Sequence, residues 1–244
     1  MLPALTWQGL NPLDDDGDGL PNTLDAGGPV DLVRPLVSGL PVGFDEQAAF
    51  LAYLDKAHLG YDLTTDLGLI HGVGPGLAGH RAVVLAGSER WVSASLAAAL
   101  RSYVAGGGHL LSLGIDSLRR RVTIRGARAL DPTQAAATDV LGARPGVLVS
   151  HSSELVAVIR DQLGIFSGTS GVFPGFSSYQ PFVGAGGPQV LAEAGATPSA
   201  PSIVAYQLGR GLVVDVGLVG FEASLARNVD AQELLGRLWT VLGR

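Results

Sequence analysis

Between residues 81 and 114 the chain spells out one complete packing unit. Arg81-Ala82-Val83-Val84-Leu85-Ala86 is an apolar run without polar alternation, the pattern of a strand covered on both faces. Ser93 then opens a stretch in which Leu96, Leu100 and Val104 recur at helical spacing, and Gly106-Gly107-Gly108 stops it. His109-Leu110-Leu111-Ser112-Leu113-Gly114 follows as a second buried strand. Strand, helix, strand in that order implies a parallel pair joined by a helical crossover. It predicts an α/β fold with a doubly wound, mostly parallel sheet sandwiched by helices.

The remaining segments are read around that unit. Leu2 to Trp7 is expected as a first strand and Val30 to Leu36 as an extended segment. Asp45 is placed to cap a helix on which Phe50, Leu51, Leu54 and Ala57 share a face and which Gly60 ends, and Tyr61 to Thr65 reads as a short strand. Further on, Arg119-Arg120-Arg121 lead into a strand, and Ser152-Ser153-Glu154 caps a helix running through Leu163. The Gly/Ser/Pro-rich stretch from Gly164 to Gly187 reads as a long loop or covering insertion. Ile203 to Gln207 and Leu212 to Val216, joined by Leu208-Gly209-Arg210-Gly211, form an expected hairpin. The final helix gathers Leu234, Leu235, Leu238, Val241 and Leu242 on one face. No linker divides the sequence, so residues 1–244 are expected to form a single domain.

Composition narrows the function classes. Of the 244 residues 47% are hydrophobic and only 16% charged, yet no apolar run approaches the roughly 20 residues needed to span a bilayer. A net charge of −6 and a single arginine cluster argue against nucleic acid as a partner. The absence of cysteine removes a thiol nucleophile, a thiolate zinc site and any disulfide. The opening phrase, Met-Leu-Pro-Ala-Leu-Thr-Trp, has no basic stretch followed by an apolar one, so it does not read as a signal peptide. It starts in mid-strand, which leads us to expect part of a longer protein, with that protein's other domains as partners. A secreted or cell-surface location follows if the parent carries a signal peptide.

The most concentrated chemistry is the acidic stretch Leu13-Asp14-Asp15-Asp16-Gly17-Asp18-Gly19-Leu20-Pro21-Asn22-Thr23-Leu24-Asp25. Counted from Asp14, carboxylates fall at positions one, three and five (Asp14, Asp16, Asp18) and glycine at six. The Leu20 carbonyl falls at seven, Asn22 at nine and Asp25 at twelve. That is the ligand order of a calcium loop, in which oxygen donors alternate along the chain to converge on one ion. Pro12 and Pro21 exclude the flanking helices of an EF-hand, so the loop is similar to the helix-free calcium loops of extracellular repeat modules. A structural ion is expected; the alternative is a solvated turn of Asp and Gly without one.

Three phrases together carry a family resemblance. Leu5-Thr6-Trp7-Gln8-Gly9-Leu10-Asn11 resembles TWQAYN, Gly87-Ser88-Glu89-Arg90-Trp91-Val92-Ser93 resembles GHDEYWS, and Gly106 to Gly114 resembles AGGNLAFFG, all of the N,N-dimethylformamidase large-subunit family. The resemblance implies a domain like the class I glutamine amidotransferases, with a flavodoxin-like α/β sandwich. It also implies a metal-dependent amidohydrolase in which iron, held by tyrosine and glutamate oxygens, polarises an amide carbonyl and activates water. Glu89 keeps the family's glutamate, but Gly87 stands where the family has histidine and Leu10 where it has tyrosine. A lone carboxylate is a poor iron site.

Other catalytic candidates are few. Ser117 lies on the turn where amidotransferases place their cysteine, and His151 sits at an expected strand-to-helix junction. Tyr179 could add an oxygen donor from the glycine-rich loop. The leading expectation is a calcium-stabilised binding or structural module that has lost the family's metal ligands. The alternative is a hydrolase of small amides or related C–N bonds that uses Glu89 and His151, with iron or zinc.

Overall fold

The computed structural model describes residues 1–183 and 190–244. Residues 184–187 of the Gly164–Gly187 stretch lie outside the described residues. The chain runs through α1 (Ala4–Leu10), β1 (Val30–Asp31), α2 (Phe44–Lys56), α3 (Asp66–His71), β2 (Ala82–Leu85), β3 (Trp91–Ser93), α4 (Ala94–Ala105) and β4 (His109–Ser112). It continues through β5 (Arg120–Arg125), β6 (Arg128–Leu130), β7 (Val156–Asp161), β8 (Val172–Phe173), β9 (Val190–Gly195), β10 (Ile203–Leu208), β11 (Gly211–Val216), α5 (Phe221–Ser224) and α6 (Val229–Leu242).

The strands form two sheets. The larger has the order β2-β4-β11-β10-β9-β7-β8 and the smaller β1-β6-β5-β3. In the larger sheet β2·β4 and β4·β11 are parallel, while β11·β10, β10·β9, β9·β7 and β7·β8 are antiparallel. This corrects the expectation of a flavodoxin-like, doubly wound and mostly parallel sheet. In the larger sheet, among the described residues, only the 81–114 unit builds a helical crossover between neighbouring parallel strands; apart from the parallel pairing of β11 with β4, the second half of the chain adds its strands by antiparallel pairing, which needs no crossover helix.

Local chemistry explains the other departures. Leu2 to Trp7 is not a strand: Leu2 makes one parallel bridge to Thr65, and α1 then starts at Ala4. Pro3, whose missing N–H costs nothing at a helix start, gives its carbonyl to the Trp7 N–H at 2.9 Å. The segment after Ser152 is β7 rather than a helix. Val156, Val158 and Ile159 favour a pleated surface, and Ser152 Oγ accepts the Glu154 N–H in a local turn instead of capping. Ser93 does cap α4, accepting the Leu96 N–H at 3.2 Å.

Both faces of the large sheet are covered. Phe50 and Leu54 of α2 and Leu234, Leu235 and Leu238 of α6 pack on the face bearing Leu111 and Val214. Leu96, Leu100 and Val104 of α4 pack on the face bearing Leu110 and Val213. Burying each such side chain stabilises the fold by about 1.5–3 kcal/mol. A third, smaller core of Leu5, Leu24, Val30, Trp91 and Val122 lies under the small sheet. Trp91 there is fully buried, with the Arg90 guanidinium 4.8 Å from its ring centre.

Candidate functional site

The acidic loop is a projecting turn tied down at its base. Asp14 accepts the Gly17 N–H at 2.7 Å and the Gly19 N–H at 2.9 Å, and Asp18 accepts the Leu20 N–H at 2.8 Å. These bonds, that of Gly19 foremost, hold the Asp14 carboxyl below its usual range. Asn22 Oδ1 accepts the Asp15 N–H, and the Asn22 amide donates to Asp16 at 3.4 Å. The outcome is a cluster in which one carboxylate oxygen each of Asp14, Asp16 and Asp18 lies within 4.8 Å of the others. Among the described residues this is the one such group of three potential ligands. The Leu20 side chain is exposed beside it.

Asp25 does not join that cluster. It pairs bidentately with Arg90, at 2.9 and 3.2 Å. The cation that holds the base of the loop is Arg34, which spacing alone does not reveal. Its guanidinium is buried and donates to Asp15 Oδ2 at 2.6 Å and to the carbonyls of Gln8, Asn11 and Asn22 at 2.8–2.9 Å, with Leu13 O at 3.4 Å. Its sequence signal is a single cation in the mostly apolar segment Val30 to Leu36.

The catalytic candidates near the carboxyl ends of β2 and β4 are Glu89 and Ser117, both buried. Glu89 is fully buried, and neither of its carboxylate oxygens has an N–H or O–H partner. Its neighbour is the equally buried Asp66. Burial, and then the Asp66 charge, hold the Glu89 carboxyl well above the ordinary range. Asp66 is the more ionised member, since it accepts the Leu5 N–H at 2.9 and 3.1 Å and the Leu67 N–H at 2.6 Å, closing the first turns of α1 and α3. Two adjacent carboxyls in so dry a place share a proton. Ser117 is a bracket: its Oγ accepts the Glu89 N–H and donates to Gly114 O, both at 3.1 Å.

Position 87 is strained and crowded for a side chain. Gly87 has a φ of 91°, and a Cβ there would lie 2.3 Å from the Gln47 amide nitrogen. A histidine at this position, which the resemblance calls for, would strain the backbone and displace the buried Gln47 side chain. Leu10 packs at the edge of the small core. Glu222, unremarked in the sequence, is also buried here; burial, and then Glu46, hold its carboxyl up to about 8.

His151 and Tyr179 lie elsewhere. His151 is exposed in a turn with a φ of 56°, and the Tyr179 hydroxyl points to Glu154 at 3.5 Å. His109 Nδ1 accepts the Leu212 N–H at 3.0 Å, a fastening between β4 and β11. On the far side of the sheet Asp215 and Tyr206 are buried near Asp139, whose carboxyl is held up to about 6, mainly by burial.

Comparison by sequence finds no matching family model and no matching curated protein. Comparison by structure finds likenesses of fold. A cytoplasmic protein from Salmonella typhimurium is similar with a TM-score of 0.53 and 14% identity, over 81% of this chain and 87% of that one. A cold-adapted β-galactosidase from a Rahnella species is similar with a TM-score of 0.50 and 14% identity, over 81% of this chain. The chain spans only 27% of the length of that β-galactosidase, and 27% of the one from Bacillus circulans. These findings overturn the resemblance to the N,N-dimethylformamidase large subunit and to the glutamine amidotransferases, along with the hydrolase-like and flavodoxin-like character it implied. The phrases that suggested it do meet, the Arg90 N–H donating to Thr6 Oγ1 at 3.0 Å, but Glu89 among them is fully buried and Gly87 and Leu10 offer no side-chain ligand.

Proposed function

We propose that this chain is a non-catalytic binding or structural module whose amino-terminal loop takes up calcium as a structural ion. The observation that carries the reading is the convergence of Asp14, Asp16 and Asp18 on an exposed turn whose base is already fixed. Hard oxygen donors at this density suit calcium, and carbonyl and water oxygens complete such a shell. With Asp25 committed to Arg90, the site lacks the carboxylate that closes a high-affinity loop, so the expected Kd is on the order of 10⁻⁴ M or weaker. The sealing of Glu89 supports the non-catalytic half of the reading, because a carboxyl that meets neither solvent nor cavity cannot touch a substrate.

The test is elemental analysis of protein purified without chelator, followed by calcium titration monitored by thermal melting, with and without EDTA. Calcium at tenfold above Kd should add about 1.4 kcal/mol of stability. The Asp16→Asn variant should lose that response while keeping its melting point in EDTA. A melting point indifferent to calcium would overturn the ion site, and stoichiometric iron or zinc would overturn the non-catalytic reading.

A further inference from the structure

The outer edge of β2 is bonded at one register and open at the next. β2 is the edge strand of the large sheet, and the carbonyls of Arg81 and Leu85 turn inward to the N–H groups of His109 and Leu113. By the alternation of a parallel ladder, Ala82 and Val84 turn their backbone groups outward. The bonds of Met1 show what this edge asks of an occupant. Its nitrogen donates to Val84 O at 2.6 Å, and its carbonyl accepts the Ala86 N–H at 3.0 Å. The edge thus presents a carbonyl and, two residues on, an N–H, which one group takes together.

The same pair recurs as Ala82 O and the Val84 N–H, and there neither has a partner among the described residues. Both belong to the wall of a cavity of about 230 Å³, lined also by Leu54, Leu63, Leu77 and Trp239. The open edge is one register deep, because the His80 N–H turns back to Leu77 O at 3.3 Å. At the rim the His80 ring meets Asp62 at 2.9 Å. The far wall is the extended segment 61–65, whose Thr64 carbonyl accepts the Leu2 N–H at 2.9 Å. One strand spacing on either side of Met1 and Leu2 sets the breadth of the slot at about 9–10 Å.

Volume, walls and bonding together define what fits. The cavity falls below the roughly 300 Å³ at which sites for drug-sized ligands begin, so it suits a single ring system. Leu54 and Trp239 pack with the core on one face of the large sheet and Leu77 with the core on the other, so a flat group in the plane of the sheet meets apolar atoms on both sides. A peptide could satisfy the same pair, but beyond one register its amides would find no partner on β2.

We propose that this cavity binds a small, flat, uncharged nitrogen heterocycle in which a ring-nitrogen acceptor stands beside an amino N–H donor, the edge that adenine presents. The amino group donates to Ala82 O, the ring nitrogen accepts the Val84 N–H, and the ring lies between Trp239 and Leu77. The site is separate from the acidic loop and stands whether or not that loop takes up calcium.

The probe is adenine, titrated into isotope-labelled protein and followed by the Val84 amide and Trp239 indole signals in NMR spectra. Adenine should shift both saturably and slow Val84 amide exchange. N6,N6-dimethyladenine, which lacks the donor, should bind about tenfold or more weakly. Leu77→Trp, which fills the cavity, should abolish the shifts; if that variant does not fold, the comparison of the two adenines decides. A Val84 signal that adenine leaves unmoved up to its solubility limit, or equal binding of the two adenines, would overturn the proposal. So would tighter binding of benzoate, which assigns the cavity to an anion, or of N-acetylvaline amide, which assigns it to a peptide.

Discussion

A guanidinium beneath a carboxylate-rich turn gives Arg34 a role that lysine cannot fill. Its planar fork reaches backbone carbonyls on both sides of the loop and the Asp15 carboxylate at once, and one ammonium group cannot span that set. Arg34→Lys is therefore expected to cost about 3 kcal/mol, close to Arg34→Ala, because buried carbonyls lose their donors in both. Chemical denaturation of the two variants checks this; full rescue by lysine would contradict it. At this scale some of the chemistry was legible and some was not. The convergence of Asp14, Asp16 and Asp18 follows from alternation along one short stretch, which a sequence displays. The diversion of Asp25 to Arg90, the anchoring by Arg34 and the pairing of Asp66 with Glu89 depend on contacts between distant segments, and no local spacing encodes them.

Among the elements, the loops that leave β2 and β4 touch backbone to backbone. A Cβ on Gly114 would lie 2.2 Å from the Gly87 carbonyl carbon, and no side-chain rotation relieves that overlap. Gly114→Ala should destabilise the fold by about 3 kcal/mol or more, seen as a fall in melting point, and a variant that melts like the parent would show that these loops can separate. The two strands themselves were readable because both of their faces are apolar, as were α4 and α6 from helical periodicity. β7 was not: Ser152-Ser153-Glu154 imitates a helix start, and only pairing with β9 and β8 decides in favour of a strand. The fold class failed for the same reason. One parallel unit was extrapolated to a sheet whose other half is antiparallel.

Across the whole molecule, buried carboxyls set the response to pH. Glu89, Glu222, Asp139 and Asp215 all bind protons more tightly in the folded chain than in the unfolded one. Between the unfolded values and the folded ones the native state therefore holds more protons, and stability falls as pH rises. For Asp139 that window runs from 3.8 to about 6, and for Glu222 from 4.5 to about 8. Above about pH 6 the buried Met1 amino group, held down to about 6 by its burial, works in the opposite sense. Melting points should therefore decline from pH 5 to pH 6, and Glu222→Gln should remove a falling contribution across pH 5 to 8; a variant whose melting point falls as steeply as the parent's over that range would contradict the assignment. The topology carries a consequence for synthesis. β4 lies between β2 and β11, so the strand at residues 109–112 leaves the ribosome able to pair with β2 but with its other side bare until residues 211–216 arrive. The nascent chain must hold that edge of β4 unpaired while residues 113–210 are made, and it can settle into its final form only once nearly all of it has been made.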